Sequence, residues 1–280
     1  MTGGARRGSP AAPGAVKHVT SPANPIVKDI RGLALAKNRK ASGRFLAEGL
    51  KLVADAADAG WEIDTLVHAA ALADQPLVAR LAAGCHAGGG TVVSASPAVL
   101  AKISRRDNPQ TVLGVFRQRL MRPAAVRPGP DEVWIALERV RDPGNLGTIV
   151  RTADAAGATG VILVGDTVDP FSVEAVRATM GSIFHVALAK ASLAEFAALA
   201  GGWPGAIVGT HLSATTDYRR ATYRTPVLLV MGGEQAGLSA ATAGLCRTLV
   251  RIPMAGRADS LNLAVATGVM LFEIMRGRLS

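Results

Sequence analysis

From Glu132 to Pro253 the chain repeats one unit: a short Val/Ile/Leu-rich run without polar alternation, a turn, then a helical stretch. The runs are "EVWIALE", "GVILVG", "FHVAL", "GAIVGT", "PVLLVMG" and "TLVRIP". A strand with one face in water alternates apolar and polar residues, whereas a strand apolar throughout is buried on both faces. The stretches between, "NLGTIVRTADAAG", "SVEAVRATMG" and "SLAEFAALA", carry helical patterning,. This half is therefore expected to be α/β, a parallel sheet with helices on both faces. Ligands of such sheets bind outside the carboxyl ends of the strands, so the residues that follow each strand become the candidates for chemistry.

The first half is patterned differently. "PIVKDIRGLALAK" reads as an amphipathic helix after an Asn-Pro turn, "KNRKASGRF" as a basic loop, and "AEGLKLVADAADAG" as a helix stopped by Gly60,. "IDTLVHA", "GTVVSA" and "TVLGVFRQ" read as strands, with "QPLVARLAAG" and "SPAVLAKIS" as helices between them. "MRPAAVRPGP" is rich in proline and closes this unit,. The expected organisation is a flexible basic tail over 1–17, an α/β domain over 18–120, a linker over 121–130 and the parallel-sheet domain over 131–280.

Charge separates the two halves. Residues 1–120 hold 16 Lys and Arg against 8 Asp and Glu, while residues 121–280 hold 15 against 13. The excess in the first half suggests a polyanionic partner, met through phosphate and shape rather than base stacking, because aromatics are only 4% of the chain,. Lys37, Arg39, Lys40 and Arg44 crowd one stretch and are the first RNA-binding candidates. Basic residues that merely solvate helix faces would give the same count. Cys85 and Cys246 stand far apart, with neither Cys nor His at metal spacing, which reads as reduced thiols in a cytoplasmic protein without a metal,. The N-terminus lacks a signal-peptide core, and Asn262 and Glu273 interrupt the final apolar stretch, so no membrane span is expected,.

Three strand ends carry polar residues that a plain turn does not need. After "EVWIALE", Asn145 is placed to cap a helix on which Gly147, Arg151 and Asp154 share a face,. An exposed Arg151–Asp154 ion pair would explain the same spacing. After "PVLLVMG", the turn holding Gly232, Gly233 and Glu234 lacks a phosphate-binding glycine pattern, and its carboxylate favours a neutral or cationic ligand,. A charged turn residue is the plain alternative. After "TLVRIP", Ser260 and Asn262 flank Leu261 where a long apolar helix opens, although one cap there would suffice,.

The ordered segments "DPGNLGTIVRTADAAGATGVIL", "VMGGEQAGLS" and "RIPMAGRADSLNLAVATGVMLFE" resemble the three motifs of the SpoU/TrmH family of SPOUT-class RNA 2′-O-ribose methyltransferases. "RFLAEGLKLVADA" is similar, more loosely, to the start of that family's N-terminal RNA-binding domain. The resemblance implies a C-terminal trefoil knot, S-adenosylmethionine as cofactor, and an active site completed by a homodimer. It implies functional polar roles for Asn145, Arg151, Glu234, Ser260 and Asn262. Cofactor contacts, largely through backbone, fall to Thr210, Gly232, Ile252, Met254 and Leu261. The family assigns proton removal to the Arg151 position, but arginine is a poor base, and the base stays open. The separate basic domain favours 23S ribosomal RNA as substrate. Transfer RNA, or a non-catalytic RNA-binding or ribosome-assembly role, are the alternatives. One departure stands out: Gly233 and Gln235 occupy positions that are usually Asn and Gly in the family's second motif.

Overall fold

The computed structural model describes residues 13–104 and 108–278, in two compact units, Met1–Gln118 and Arg119–Ser280. Residues 1–12 of the expected tail lie outside the described residues. Residues 15–17, also assigned to that tail, belong instead to strand β1, Ala15–Val19.

The N-terminal unit holds a five-stranded mixed sheet. Its strands are β1, β2 (Arg44–Glu48), β3 (Ile63–Ala69), β4 (Thr91–Ala95) and β5 (Val112–Arg117), in the order β1-β4-β3-β5-β2. β1, β4 and β3 run parallel, and β5 is antiparallel to both β3 and β2. The helices are α1 (Pro25–Gly32), α2 (Ala36–Ser42), α3 (Leu50–Asp58), α4 (Pro76–Ala87) and α5 (Pro97–Ser104). Asn24 caps α1 by accepting the Ile26 N–H, and Pro25 opens the helix where no N–H is needed,. Val27, Ile30 and Leu33 then pack with Val99, Leu100 and Ile103 in one buried cluster. The stretch expected as a basic loop is mostly α2, ended by Gly43 at φ 64°, and the strand β2 follows where the sequence pattern points to loop and helix.

The C-terminal unit is built on seven strands: β6 (Val133–Glu138), β7 (Gly160–Val164), β8 (Ala187–Ala191), β9 (Ile207–Thr210), β10 (Thr216–Asp217), β11 (Val227–Met231) and β12 (Thr248–Arg251). Their order is β10-β12-β9-β11-β6-β7-β8, and every pairing is parallel, as the unalternated runs predict. The helices are α6 (Pro143–Ala155), α7 (Val173–Ala178), α8 (Leu193–Gly201), α9 (Ala240–Ala243) and α10 (Leu263–Met275). Trp134, Ala136, Ile162, Leu228 and Val230 share a cluster with Phe196 and Ala200 of α8. The intervening residues Ile135, Leu137, Val161 and Leu163 are equally buried, and α6 and α10 lie against β7 and β11. The expected linker is not plain coil: Met121 bridges to Ala189 of β8, and Val126 is buried among the α8-side core.

Candidate active site

The carboxyl ends of β9, β11 and β12, neighbours in the sheet, open onto a cavity of about 520 Å³. Thr210, Gly232, Ile252, Met254 and Leu261 all line it, as do Glu234, Ser260 and Asn262. That volume lies in the range of small-molecule sites. Much of its wall is backbone, because the chain folds tightly there. A Cβ on Gly232 would meet the carbonyl carbon of Gly237 at 1.9 Å, so only glycine lets the two strands of this turn close,. Gly237 donates its N–H back to the Gly233 carbonyl at 3.0 Å, and the loop shuts on itself. Thr210 is held at the rim by donating to the Met231 sulfur at 3.4 Å.

A hydrogen-bond relay ties the three motif segments together. Glu234 accepts the backbone N–H groups of Arg141 and Asp142, each at 3.2 Å, and the Asn145 side-chain N–H at 3.1 Å. Asn145 in turn accepts from Asn262 Nδ2 at 2.9 Å. Asn262 completes the chain by accepting the Ala264 and Val265 N–H groups at 2.8 and 3.3 Å, which makes it the N-cap of α10. Partial burial pushes the Glu234 carboxyl up, but its N–H donors outweigh that and hold it below the ordinary glutamate value,. The site thus presents an ionised carboxylate, which suits a cationic ligand. Glycine-walled turns, this volume and this charge fit S-adenosylmethionine.

Several sequence expectations change in detail. Asn145 does not cap α6; Asp142 does, accepting the Asn145 N–H at 2.6 Å, with Pro143 as the first helical residue. An Asp-Pro start is a legible signature, and it was the signal available. Ser260 and Leu261 precede α10 rather than opening it. Arg151 is not brought to this cavity: it stands exposed on α6, one turn beyond Gly147. Among the described residues no ion pair joins it to Asp154. Gly147 packs against α7, where an added Cβ would meet the Ala178 Cβ at 2.4 Å.

Two residues of the site had no sequence signal. Glu138, buried as the last residue of β6, accepts the Ser239 N–H at 2.8 Å and braces the far end of the Gly232 turn. His211 lines the cavity, its Nδ1 accepting the Ser213 N–H at 3.2 Å. Among the described residues, no three His, Cys, Asp or Glu side chains are grouped to hold a metal ion, and no helix is long and apolar enough to cross a membrane.

The RNA-binding candidates divide. Arg39 is buried, and its guanidinium donates to the Leu33 and Ala34 carbonyls at 2.8 and 3.0 Å. Arg44 donates to Asp29 at 3.0 Å and to Asp64 at 3.3 Å. Both guanidinium groups are committed to the fold. Lys37 and Lys40 are exposed on α2.

Residues 132–272 match the SpoU rRNA methylase family, and residues 24–114 match an MRM3-like substrate-binding domain. The chain is similar to the AdoMet-bound rRNA methyltransferase from Sinorhizobium meliloti, at 54% identity over 95% of this chain and 99% of that one, with a TM-score of 0.89. It is 31% identical to the 23S rRNA (uridine(2479)-2′-O)-methyltransferase of Streptomyces viridochromogenes over 86% of each chain. It is 28% identical to the 23S rRNA (guanosine(2553)-2′-O)-methyltransferase RlmP of Bacillus subtilis over 92% of this chain and 99% of that one.

Proposed function

Because this chain belongs to the SpoU rRNA methylase family, we propose that it transfers a methyl group from S-adenosylmethionine to a ribose 2′-hydroxyl of 23S ribosomal RNA. The observation that carries this reading is the relay Glu234–Asn145–Asn262 beside a cavity lined by all five expected cofactor residues. When bound, the cofactor supplies an electrophilic methyl group on a sulfonium centre. The chain supplies alignment. The turns at Gly232, Ile252 and Leu261 hold the cofactor through main-chain groups, and Ser260 and Asn262 orient the hydroxyl.

Glu234 is a positioning residue. Its carboxylate already accepts three donors and titrates below the ordinary value, so it is a weak base. Its part is to fix Asn145 and the loop that follows β6. Arg151 binds the nucleotide and stabilises the alkoxide that develops as the proton leaves.

A homodimer completes the site. Val265 and Phe272 lie seven residues apart on one face of α10 and are 53% and 48% exposed, apolar area that a second copy would cover,. Arg151 is exposed and absent from the cavity of its own subunit, as a group that serves the partner's cavity would be. We read the segment 252–262, which closes the cavity against 232–238, as the threaded part of the expected knot. The two cysteines are free thiols, in keeping with a reducing cytoplasm,. Calorimetric titration with S-adenosylmethionine, followed by mapping of 2′-O-methyl marks in rRNA from cells with and without the gene, tests the reading. Absence of cofactor binding, or an unchanged methylation map, overturns it.

A further inference from the structure

Two non-glycine residues of the described chain have left-handed backbone, Met180 at φ 51° and Arg139 at φ 54°. Arg139 is the first residue after β6, at the sheet edge where the cavity opens. Its position explains the backbone. The N–H donates to the Val164 carbonyl at 3.1 Å, and the Arg139 carbonyl stands 2.9 Å from where a Cβ on Gly233 would be. The chain is therefore pressed between the end of β7 and a loop that walls the cavity. Glycine or asparagine would take this conformation with less strain than arginine does. A long cation placed there is an expense that the fold itself does not require.

The guanidinium has no use within the fold. Arg139 is exposed, and among the described residues its side chain makes neither an ion pair nor a hydrogen bond. Asp166, on the turn toward which the side chain runs, already accepts from the Arg141 guanidinium at 2.9 Å. The Arg139 Cγ passes 3.9 Å from where a Cβ on Gly165 would be, so the side chain runs over the bare turn after β7. The loop that carries both arginines is held by Glu234 through the Arg141 and Asp142 N–H groups. An arginine fixed at its backbone beside the loop that walls the cavity, with no ion pair of its own among the described residues, is arranged to meet an anion brought by the substrate,.

We propose that Arg139 contacts a backbone phosphate of the RNA beside the nucleotide that is methylated. It is a binding residue of the catalytic unit itself, additional to the basic N-terminal unit. The proposal rests on the function proposed above and names a substrate contact for that site. The phosphate contact sets where the strand lies relative to the cavity, so its loss appears in substrate affinity and not in cofactor affinity.

The left-handed backbone makes a clean test available. Arg139→Gly removes the guanidinium while easing the backbone, so loss of function through misfolding is not expected, and Arg139→Lys restores a point charge. The full-length dimer is assayed with labelled S-adenosylmethionine and an unmodified 23S rRNA transcript, with binding followed by filter retention. We expect Arg139→Gly to melt at or above the wild-type temperature and to bind S-adenosylmethionine normally. Its KM for the transcript should rise about fivefold or more, and its plot of log affinity against log salt should flatten by about one phosphate contact, a slope change of about 0.7–0.9. Arg139→Lys should recover most of both. Wild-type KM and salt slope in Arg139→Gly overturn the inference alone. Wild-type protein that binds no S-adenosylmethionine, or neither binds nor methylates the transcript, overturns the function on which it rests.

Discussion

Asn262 donates to Asn145 at 2.9 Å across 117 residues of chain, while its own oxygen caps α10. One side chain thus does two separable things. Asn262→Asp keeps the cap, since aspartate accepts the Ala264 and Val265 N–H groups as well as asparagine does. It removes the donor to Asn145. If Asn145 turns its amide to donate to the new carboxylate, its oxygen faces Glu234 and the other relay bond is lost. We expect stability within about 0.5 kcal/mol of wild type with methyl transfer reduced at least about tenfold, a loss of about 1.4 kcal/mol of transition-state stabilisation. Asn262→Ala should lose the cap as well, costing about 1 kcal/mol. Thermal melting beside a methyl-transfer assay separates the two effects.

The relay shows where sequence reasoning reached and where it stopped. The parallel sheet was legible because buried strands have no polar face to confuse their period, and "GVILVG" reads directly as β7. Asn145, Glu234 and Asn262 stand out in the sequence as site candidates only through motif resemblance. Their mutual bonds were not, since they join residues about ninety or more positions apart. β2 was missed because "RFLAE" is a five-residue run that joins α2 to α3 without turn punctuation except Gly43 and Gly49. Arg39 and Arg44 show a related limit: a basic run in sequence does not show which of its charges the fold turns inward to carbonyls and carboxylates.

Glu234 gives a pH dependence whose sign is fixed. Partial burial pushes its folded carboxyl up, but its own backbone N–H and the donors of Asn145, Asp142 and Arg141 together outweigh that and hold it below the ordinary glutamate value. Stabilisation by the ionised form is therefore complete above the unfolded-state pKa and is lost as pH falls through the lowered folded value. The melting-temperature difference between wild type and Glu234→Gln should be level from about pH 8 to about pH 6, then shrink in acid. A difference that grows on acidification would show that the carboxylate is not the stabilising form.

Arg151→Ala tests the division between cofactor and nucleotide. Cofactor affinity should hold, because Arg151 does not line the cavity. Turnover should fall about a hundred- to a thousand-fold, the usual loss for one donor to a developing oxyanion. If the arginine serves the partner's cavity, mixing Arg151→Ala with Ser260→Ala subunits should restore activity that neither has alone. Light scattering on each variant checks that its oligomeric state matches that of the wild type.

In the N-terminal unit, Lys37→Ala with Lys40→Ala should weaken RNA binding and flatten its salt dependence without lowering the melting temperature. Arg39→Ala should do the reverse. Removing a buried charged donor leaves the Leu33 and Ala34 carbonyls short of a partner, at a cost of about 1–3 kcal/mol,. Denaturant titration and filter binding on the same samples distinguish the two outcomes.

The last expectation concerns Gly233, where this chain departs from the asparagine usual in its family. A Cβ at that position would meet the Arg139 carbonyl oxygen at 2.9 Å and the Glu138 carbonyl oxygen at 3.2 Å. Both neighbours are backbone, so neither can swing aside as a side-chain tip would. Gly233→Asn must displace the peptide after Arg139, which is already left-handed at φ 54°. Overpacking of this kind costs about 1–3 kcal/mol. Glycine at 139 widens the conformations open to that peptide, so Arg139→Gly should relieve part of the damage. In a double-mutant cycle the pair should show a favourable coupling of about 0.5 kcal/mol or more, measured by denaturant unfolding. Additive effects would mean that the loop at Gly233 yields instead of the one at Arg139, and the two positions would then be independent.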